Sequence, residues 1–495
     1  MSIASNTKHD LGMATATRWA ALSVLLMASF MNLIDVSIVN VALPQIQADT
    51  GATPTQLERV AAIYVLALAV GLLPCGRFGD VFGRRRMFIW GLVGFTMASA
   101  ACGIAPNMIS LIFARAVKGI AADMMVPQVL AIAHVIFPPE EKSRVFGLFG
   151  TLSSIAVVVG PIIGGALILA DFASLGWRMA FLVNIPLGIA ELIGTRMFVP
   201  AIDTGSDTRP DWTGSGLFTV ATILLVLPLI EGRALGWPWR CFVALSASVP
   251  VAFAFMAHER KRSAAGLSAM MPPGLLSNPA YLRRLGLVTL FFSGVPGLFL
   301  VLAVFLQSGF GLSPLQSSLV TTPFPVGVML ASMTTERLRD NYLSIRIASG
   351  AALLVLGMTS LHLVIRSTGA ELIPFAFALP LLICGFGMGT AIMSLFQVTM
   401  SSVEAQDAGA GSGAMQAFQQ IGAALGIAIA GSIFFGRLGD NGMGAGAEIA
   451  PRFVDAAAAA TSYSITVFAT LTLLVGASVW KTQKERPQHD DPPTP

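Results

Sequence analysis

Three ionisable residues stand where an oily setting makes them costly. Asp35 lies in the apolar stretch 19–40, and Arg115 and Asp123 lie in the stretch 108–135. A charge at membrane depth is disfavoured enough that each is a functional hypothesis by default. Asp35 falls in the outer third of its stretch, and Arg115 enters the fourth stretch a turn or two from the same side, so the two can meet. A partly desolvated carboxylate beside an arginine can take and release a proton as water access alternates. Substrate binding and a purely structural ion pair are the other readings of Asp35. Asp123 lies two turns beyond Arg115 and about 80° round the helix. This second acid either compensates Lys118 or Arg115 or contacts a cationic substrate.

A wider set of polar residues in apolar stretches forms the candidate substrate cavity: Asn32, Gln128, Asn184, Glu191, Gln397, Gln416 and Gln420, with Gln419 beside them. Each alone is as well explained by hydrogen bonds between helices. Glu191 reads either as a cavity-lining group or as an end residue reaching for the interface, and His134 and His362, near stretch ends, read as solvated. No catalytic constellation appears, so the chain reads as a non-enzyme. Cys75, Cys102, Cys241 and Cys384 are scattered without CxxC spacing, which argues against a disulfide framework or a metal site. No phosphate-binding loop is present, and Gly385-x-Gly387-x-Gly389 sits inside an apolar stretch with no strand before it, so no nucleotide or other cofactor is implied.

The elements that must position these residues are membrane helices. The chain is 55% hydrophobic and 11% charged, with mean hydropathy +0.76, where a soluble domain carries about 25% charged residues. Apolar stretches, each near the length that spans a bilayer, fall at 19–40, 58–76, 86–105, 108–135, 145–170, 177–199, 214–231, 239–257, 285–306, 317–334, 347–365, 372–398, 411–435 and 462–480. With the N-terminus cytoplasmic, these fourteen crossings place 21 of the 30 Lys and Arg inside and 7 outside, leaving Arg115 and Lys118 within the fourth. That bias follows the positive-inside rule. It points to a multi-pass protein of the bacterial inner membrane with both termini cytoplasmic, its first helix retained rather than cleaved as a signal peptide. The net charge of +4 is distributed by membrane side and is no nucleic-acid footprint.

An internal repeat divides the chain. Gly51-x-Thr53-Pro54-x-Gln56 recurs 260 residues on as Gly311-x-Ser313-Pro314-x-Gln316, and the same offset carries Arg77 to Arg337, Asp80 to Asp340 and Arg86 to Arg346. Two halves of equal topology follow, with a ligand site expected at their interface. The expected division is an N-terminal tail 1–18, a six-helix bundle 19–200, a linker 201–284 carrying two extra helices and a cytoplasmic loop, a second six-helix bundle 285–480, and a tail 481–495.

Five motifs add detail. After the second stretch comes Gly76-Arg77-Phe78-Gly79-Asp80-Val81-Phe82-Gly83-Arg84-Arg85-Arg86; its glycines permit a tight turn and its arginines suit lipid phosphates or facing carboxylates. The fifth stretch holds Gly160-Pro161-Ile162-Ile163-Gly164-Gly165 after Ala156, small residues on one face plus a helix-bending proline. The first holds Asp35, Ser37 and Asn40 running into Ala42-Leu43-Pro44, and the fourth Arg115-Ala116-Val117-Lys118-Gly119. Trp177-Arg178-x-x-Phe181-x-x-Asn184-x-Pro186 opens the sixth.

These motifs closely resemble those of the major facilitator superfamily, in particular its fourteen-helix drug/proton antiporter branch of multidrug efflux transporters. The likeness covers almost the whole chain and is most specific over 32–190. It departs at Val81, where the family has arginine, and at Lys118, Ala121 and Asp123, where it has glutamine, glycine and alanine. The resemblance implies an all-α membrane fold of two six-helix bundles plus two inserted helices. It implies proton coupling through Asp35 and Arg115, to which this sequence adds Asp123 as a second acid at membrane depth, inner-loop gating through Gly76, Asp80, Gly83, Arg84 and Arg85, and an antiporter hinge at Gly160, Pro161, Gly164 and Gly165. The implied activity is export of drugs or other amphiphilic small molecules against protons. Its partners are that substrate, protons and the lipid bilayer, with a periplasmic adaptor and outer-membrane channel as further candidates. A proton-coupled importer on the same fold, and a non-transporting sensor or enzyme, are the rivals.

Overall fold

The repeated Gly-x-Thr/Ser-Pro-x-Gln pattern is a helix start written twice. Thr53 Oγ1 accepts from the Gln56 backbone N–H at 3.4 Å while Gln56 Oε1 accepts from the Thr53 N–H at 2.9 Å. Ser313 and Gln316 repeat the pair at 3.3 and 2.9 Å. Both are capping boxes, with proline at the first helical position where its missing N–H costs nothing. The glycines before them turn the chain with φ of 66° at Gly51 and 69° at Gly311, a region other residues avoid.

The computed structural model describes residues 14–201, 210–232, 235–267, 269–271, 273–335, 343–368, 372–401, 403, 408–438 and 449–484. Their regular structure is helical throughout: α1 Thr15–Thr50, α2 Pro54–Phe82, α3 Arg84–Gly103, α4 Met108–Ile136, α5 Pro139–Ala170, α6 Met179–Leu182, α7 Asn184–Phe198, α8 Trp212–Glu231, α9 Trp239–Ala264, α10 Pro273–Leu276, α11 Pro279–Ser293, α12 Pro296–Val304, α13 Pro314–Thr321, α14 Pro323–Thr335, α15 Leu343–Ser367, α16 Ala378–Met400, α17 Ala408–Leu438 and α18 Ile449–Lys484. Twelve stretches among the described residues are long and apolar enough to cross a membrane. α5 and the pair α13–α14, broken at Thr322, stand where the fifth and tenth crossings are expected. Large apolar side chains such as Met97, Phe113 and Leu473 face outward, as they do where lipid is the solvent.

Small residues set the closest approaches. A Cβ on Gly160 would lie 2.2 Å from Ser37 Oγ, and one on Gly164 would lie 2.4 Å from Ile38, so α5 beds directly on α1. The second half repeats this without a proline: Gly422 and Gly426 of α17 press on the carbonyls of Thr289 and Ser293 at the end of α11. Such stripes replace the hydrophobic drive that lipid does not supply between helices.

The two halves meet along several seams. α2 packs along α17, and α5 packs against α13, where a Cβ on Gly165 would lie 2.7 Å from Leu315 Cα. Gln307, in a π-helical turn after α12, donates to the Val41 carbonyl of α1 at 3.1 Å. α8 lies against α2 and α17, and α9 packs on α8. Arg59 of α2 pairs with Glu231 of α8, and Phe78 stacks near Trp212 at 5.0 Å between ring centres.

Candidate functional site

α4 runs beside α1, α2 and α3, and the charges the sequence places at membrane depth converge between them. Asp35, Arg115, Lys118 and Asn184 are all buried. Arg115 Nη1 donates to Asp35 Oδ2 at 2.8 Å, so the expected meeting of these two occurs. Lys118 Nζ takes the other oxygen, Oδ1, and also donates to Ser99 Oγ at 2.8 Å. Asn184 Nδ2 reaches Asp35 Oδ1 at 3.4 Å and Ser99 Oγ at 3.1 Å. One carboxylate thus holds two cations; each of its oxygens has lone pairs to spare.

Aromatic faces complete the shell. The Arg115 guanidinium lies 4.3 Å from the ring centre of Tyr64, and Lys118 Nζ lies 4.6 Å from that of Phe95. Tyr64 in turn donates to Asn32 Oδ1 at 2.5 Å. Removing one partner of a buried ion pair costs about 3–5 kcal/mol, because it strands the other charge.

On the far side of Arg115 lies a cavity of about 410 Å³ between the halves, within the range of small-molecule sites. One wall comes from α1, α2, α4 and α5, including Asn32, Ser37, Arg115 and Pro161; the other comes from α11 to α14, α16 and α17, including Phe299, Phe324 and Gln416. The wall is mainly apolar, and among the described residues Arg115 is the one charged residue lining it.

The Major Facilitator Superfamily pattern matches residues 25–427, most of the chain and all of this site. The chain belongs to the Major Facilitator Superfamily. Within the superfamily it is 35% identical over 475 residues to a probable actinorhodin transporter of Streptomyces coelicolor, covering 95% of this chain and 82% of that protein. It is 29% identical over 435 residues to the tetracenomycin C resistance and export protein of Streptomyces glaucescens, covering 85% and 77%. The crystal structure of a POT family transporter shares the fold, with a TM-score of 0.69 at 12% identity over 94% of this chain and 98% of that one.

The other residues singled out from the sequence distribute as follows in this superfamily member. Asn32, Gln416 and Gln420 line the cavity, as does Gln419. Asn184 belongs to the Asp35 cluster instead. Gln128 is buried against α2, donating to the Cys75 carbonyl at 2.9 Å, and Gln397 is exposed on α16; neither lines the cavity. Glu191 is buried on α7, with no hydrogen-bond partner for either oxygen among the described residues, and also lies off the cavity wall. Asp123 is fully buried but meets neither Arg115 nor Lys118. It faces Gly71 of α2, both oxygens without a hydrogen-bond partner among the described residues. His134 is exposed; His362 is half-buried, Nδ1 3.1 Å from the Ala458 carbonyl.

The inner-loop motif holds helix ends. Gly83, at φ 94°, forms the bend between α2 and α3. Arg84 donates to the Ala131 carbonyl near the end of α4 at 3.0 Å, and Arg85 to the Thr195 and Arg196 carbonyls near the end of α7 at 3.4 and 3.2 Å. Terminal carbonyls carry the negative end of the helix dipole, which suits cations. Among the described residues these helix C-termini are partners of the two arginines, beside the lipid phosphates or carboxylates the sequence suggests. Gly76 has room around it, and Asp80's side chain lies outside the described residues, as do Arg337 and Asp340 of the repeat.

Sequence reasoning missed Ser99, Tyr64 and Gln307. A serine, a tyrosine and a glutamine in apolar helices carry no local signal of what they face. Lys118 did carry one: it lies one turn from Arg115, on a neighbouring face.

Proposed function

We propose that this transporter exports amphiphilic small molecules, drugs and antibiotics among them, in exchange for protons, by alternating access across the bacterial inner membrane. Fourteen crossings with both termini cytoplasmic, and bundles at 19–200 and 285–480 flanking the linker 201–284, complete the proposal. The carrying observation is that Asp35, fully buried, is bonded to Arg115, which is itself part of the cavity wall. A proton arriving on Asp35 weakens its hold on Arg115 and changes the charge the cavity presents; cargo in the cavity changes the field at Asp35. The two ligands thus act on one pair of side chains, which is what exchange requires. Asp123, buried on the same helix, is a second candidate carrier of protons.

The hinge motif suits the mechanical part. Gly160 and Gly164 keep α5 with α1, while Gly165 abuts α13 of the other half and Pro161 faces the cavity. Relatives named for resistance and export support the outward direction over import. Each proton entering down the membrane potential supplies about 2.3 kcal/mol per 100 mV.

The test is Asp35→Asn in everted vesicles. Energised wild-type vesicles should concentrate a fluorescent drug and release protons when it is added, whereas the variant should insert normally yet neither concentrate drug nor move protons. Uphill accumulation at the wild-type rate by the variant removes Asp35 from the coupling.

A further inference from the structure

The charges around Asp35 do not balance. Arg115 and Lys118 both bond the one carboxylate, so two basic side chains share a single acid within a buried cluster, a formal excess of one positive charge. The nearest acid on the same helix does not repair this, because Asp123 turns to Gly71 of α2. Excess charge at membrane depth is costly, and the cost falls if an anion comes close.

The excess reaches the cavity at Arg115. Arg115 Nε is bonded to the Val60 carbonyl at 3.3 Å and Nη1 to Asp35, while Nη2 has no hydrogen bond among the described residues. Among the described residues no Asp, Glu, His or Lys lines the cavity. The remaining polar groups are neutral amides and hydroxyls, including Gln416, Gln419 and Gln420 of α17 one turn apart. Phe299 and Phe324 meet edge to face at 4.9 Å on the opposite wall, offering ring edges and faces to a flat ligand.

From this, and resting on the export reading above, we propose that the preferred cargo is an aromatic compound bearing an anionic group, its negative charge set against Arg115 Nη2 and its rings against Phe299 and Phe324. A cationic drug meets the reverse: a positive wall with no carboxylate facing it. Lys118 supplies the excess charge without touching the cavity, so it is a positioning and specificity residue rather than a contact.

The test uses three probes on one scaffold: anthracene sulfonate, anthracenylmethyl trimethylammonium and the neutral anthracene carbinol. Purified protein in liposomes, with the membrane potential clamped at zero and a pH gradient imposed, is assayed for uphill accumulation over protein-free liposomes. Wild type should favour the sulfonate over the ammonium by about tenfold or more, as expected for one hydrogen bond to a charged group. Lys118→Gln keeps a donor for Asp35 and Ser99 but removes the charge, and should cut that preference about tenfold; Lys118→Arg should retain it. Protection against thermal unfolding in detergent by each probe supplies a second readout for any variant that transports poorly, with the same order expected.

Equal or greater accumulation of the ammonium probe, or an unchanged preference in Lys118→Gln, overturns the proposal. So does transport of the carbinol with neither charged probe, which leaves the export reading standing. If no probe moves uphill and no antibiotic does either, the export reading itself falls.

Discussion

Gly165 is the most sensitive wedge point between the halves. Its replacement by alanine puts a methyl 2.7 Å from Leu315 Cα, 2.9 Å from Leu315 N and 2.9 Å from the Pro314 carbonyl. All three are backbone atoms at the start of α13, where the Ser313 capping box holds the chain, so no flexible side chain can yield. Overpacking of this kind costs about 1–3 kcal/mol. Within a bundle such a cost would be paid by the fold. Across the α5–α13 seam it is escaped by separating the halves, so the population of arrangements with this seam open should rise by roughly 5- to 150-fold.

Spin labels at Ala48→Cys and Leu319→Cys, both exposed positions at this end of α1 and α13, report the separation by pulsed electron resonance. The four native cysteines are buried and can be exchanged for alanine or serine first. Gly165→Ala should move the distance distribution to longer values and slow transport. Gly286→Ala is the control, because nothing lies within 4 Å of its added Cβ. Gly385→Ala is the contrast: its Cβ would lie 1.8 Å from the Phe324 carbonyl, inside one half, and should cost folded protein rather than shift the distance. A Gly165→Ala distribution matching that of Gly286→Ala, with wild-type transport, would refute the reasoning.

Gln307→Ala removes the bond to the Val41 carbonyl across the halves, and should shift the same distance in the same direction by the smaller amount of about 1 kcal/mol. Asp123→Asn is nearly isosteric in its slot against Gly71; folding should survive, while proton-driven accumulation should fall at least about tenfold if a general proton carrier is lost. Normal accumulation would confine coupling to Asp35. Asp211 caps α8 through the Gly214 N–H at 3.0 Å and also meets His258 at 3.1 Å and Arg262 at 3.4 Å. Asp211→Ala should therefore lower the unfolding temperature in detergent, with a cap loss of about 0.5–2 kcal/mol, and leave the Asp35 cluster's transport chemistry intact. Although burial alone would raise it, the Gly214, His258 and Arg262 contacts hold the Asp211 carboxyl below its ordinary value. That contribution is present above the ordinary carboxylate range and fades as pH falls through the lowered value, so wild type and Asp211→Ala should converge in acid.

What was legible in the sequence, and what was not, follows from helical geometry. Twelve crossings and the repeated helix start were readable because apolar length and capping residues are local properties. So was the meeting of Asp35 with Arg115, since depth along two helices can be counted from their ends. Lys118 and Asp123 show where counting stops. From Arg115, Lys118 lies about 60° round the helix one way and Asp123 about 80° the other, so no single neighbour can receive both. Read without partners, Asp123 serves equally to compensate Lys118 or Arg115 or to contact a cationic substrate. In the fold, Asp35 takes Lys118 with its second oxygen and Asp123 turns away to α2. The glutamines divide for a similar reason. Gln416 and Gln397 sit in equally apolar helices, yet only the first faces the cavity, because helix rotation is set by small-residue contacts such as Gly422 on Thr289, which no residue reports about itself. The excess charge beside the cavity is therefore a property of helix rotation. A turn of α4 by about 80° that faced Asp123 rather than Arg115 to the cavity would put a carboxylate on the wall, and would make the same cavity a receptor for cations.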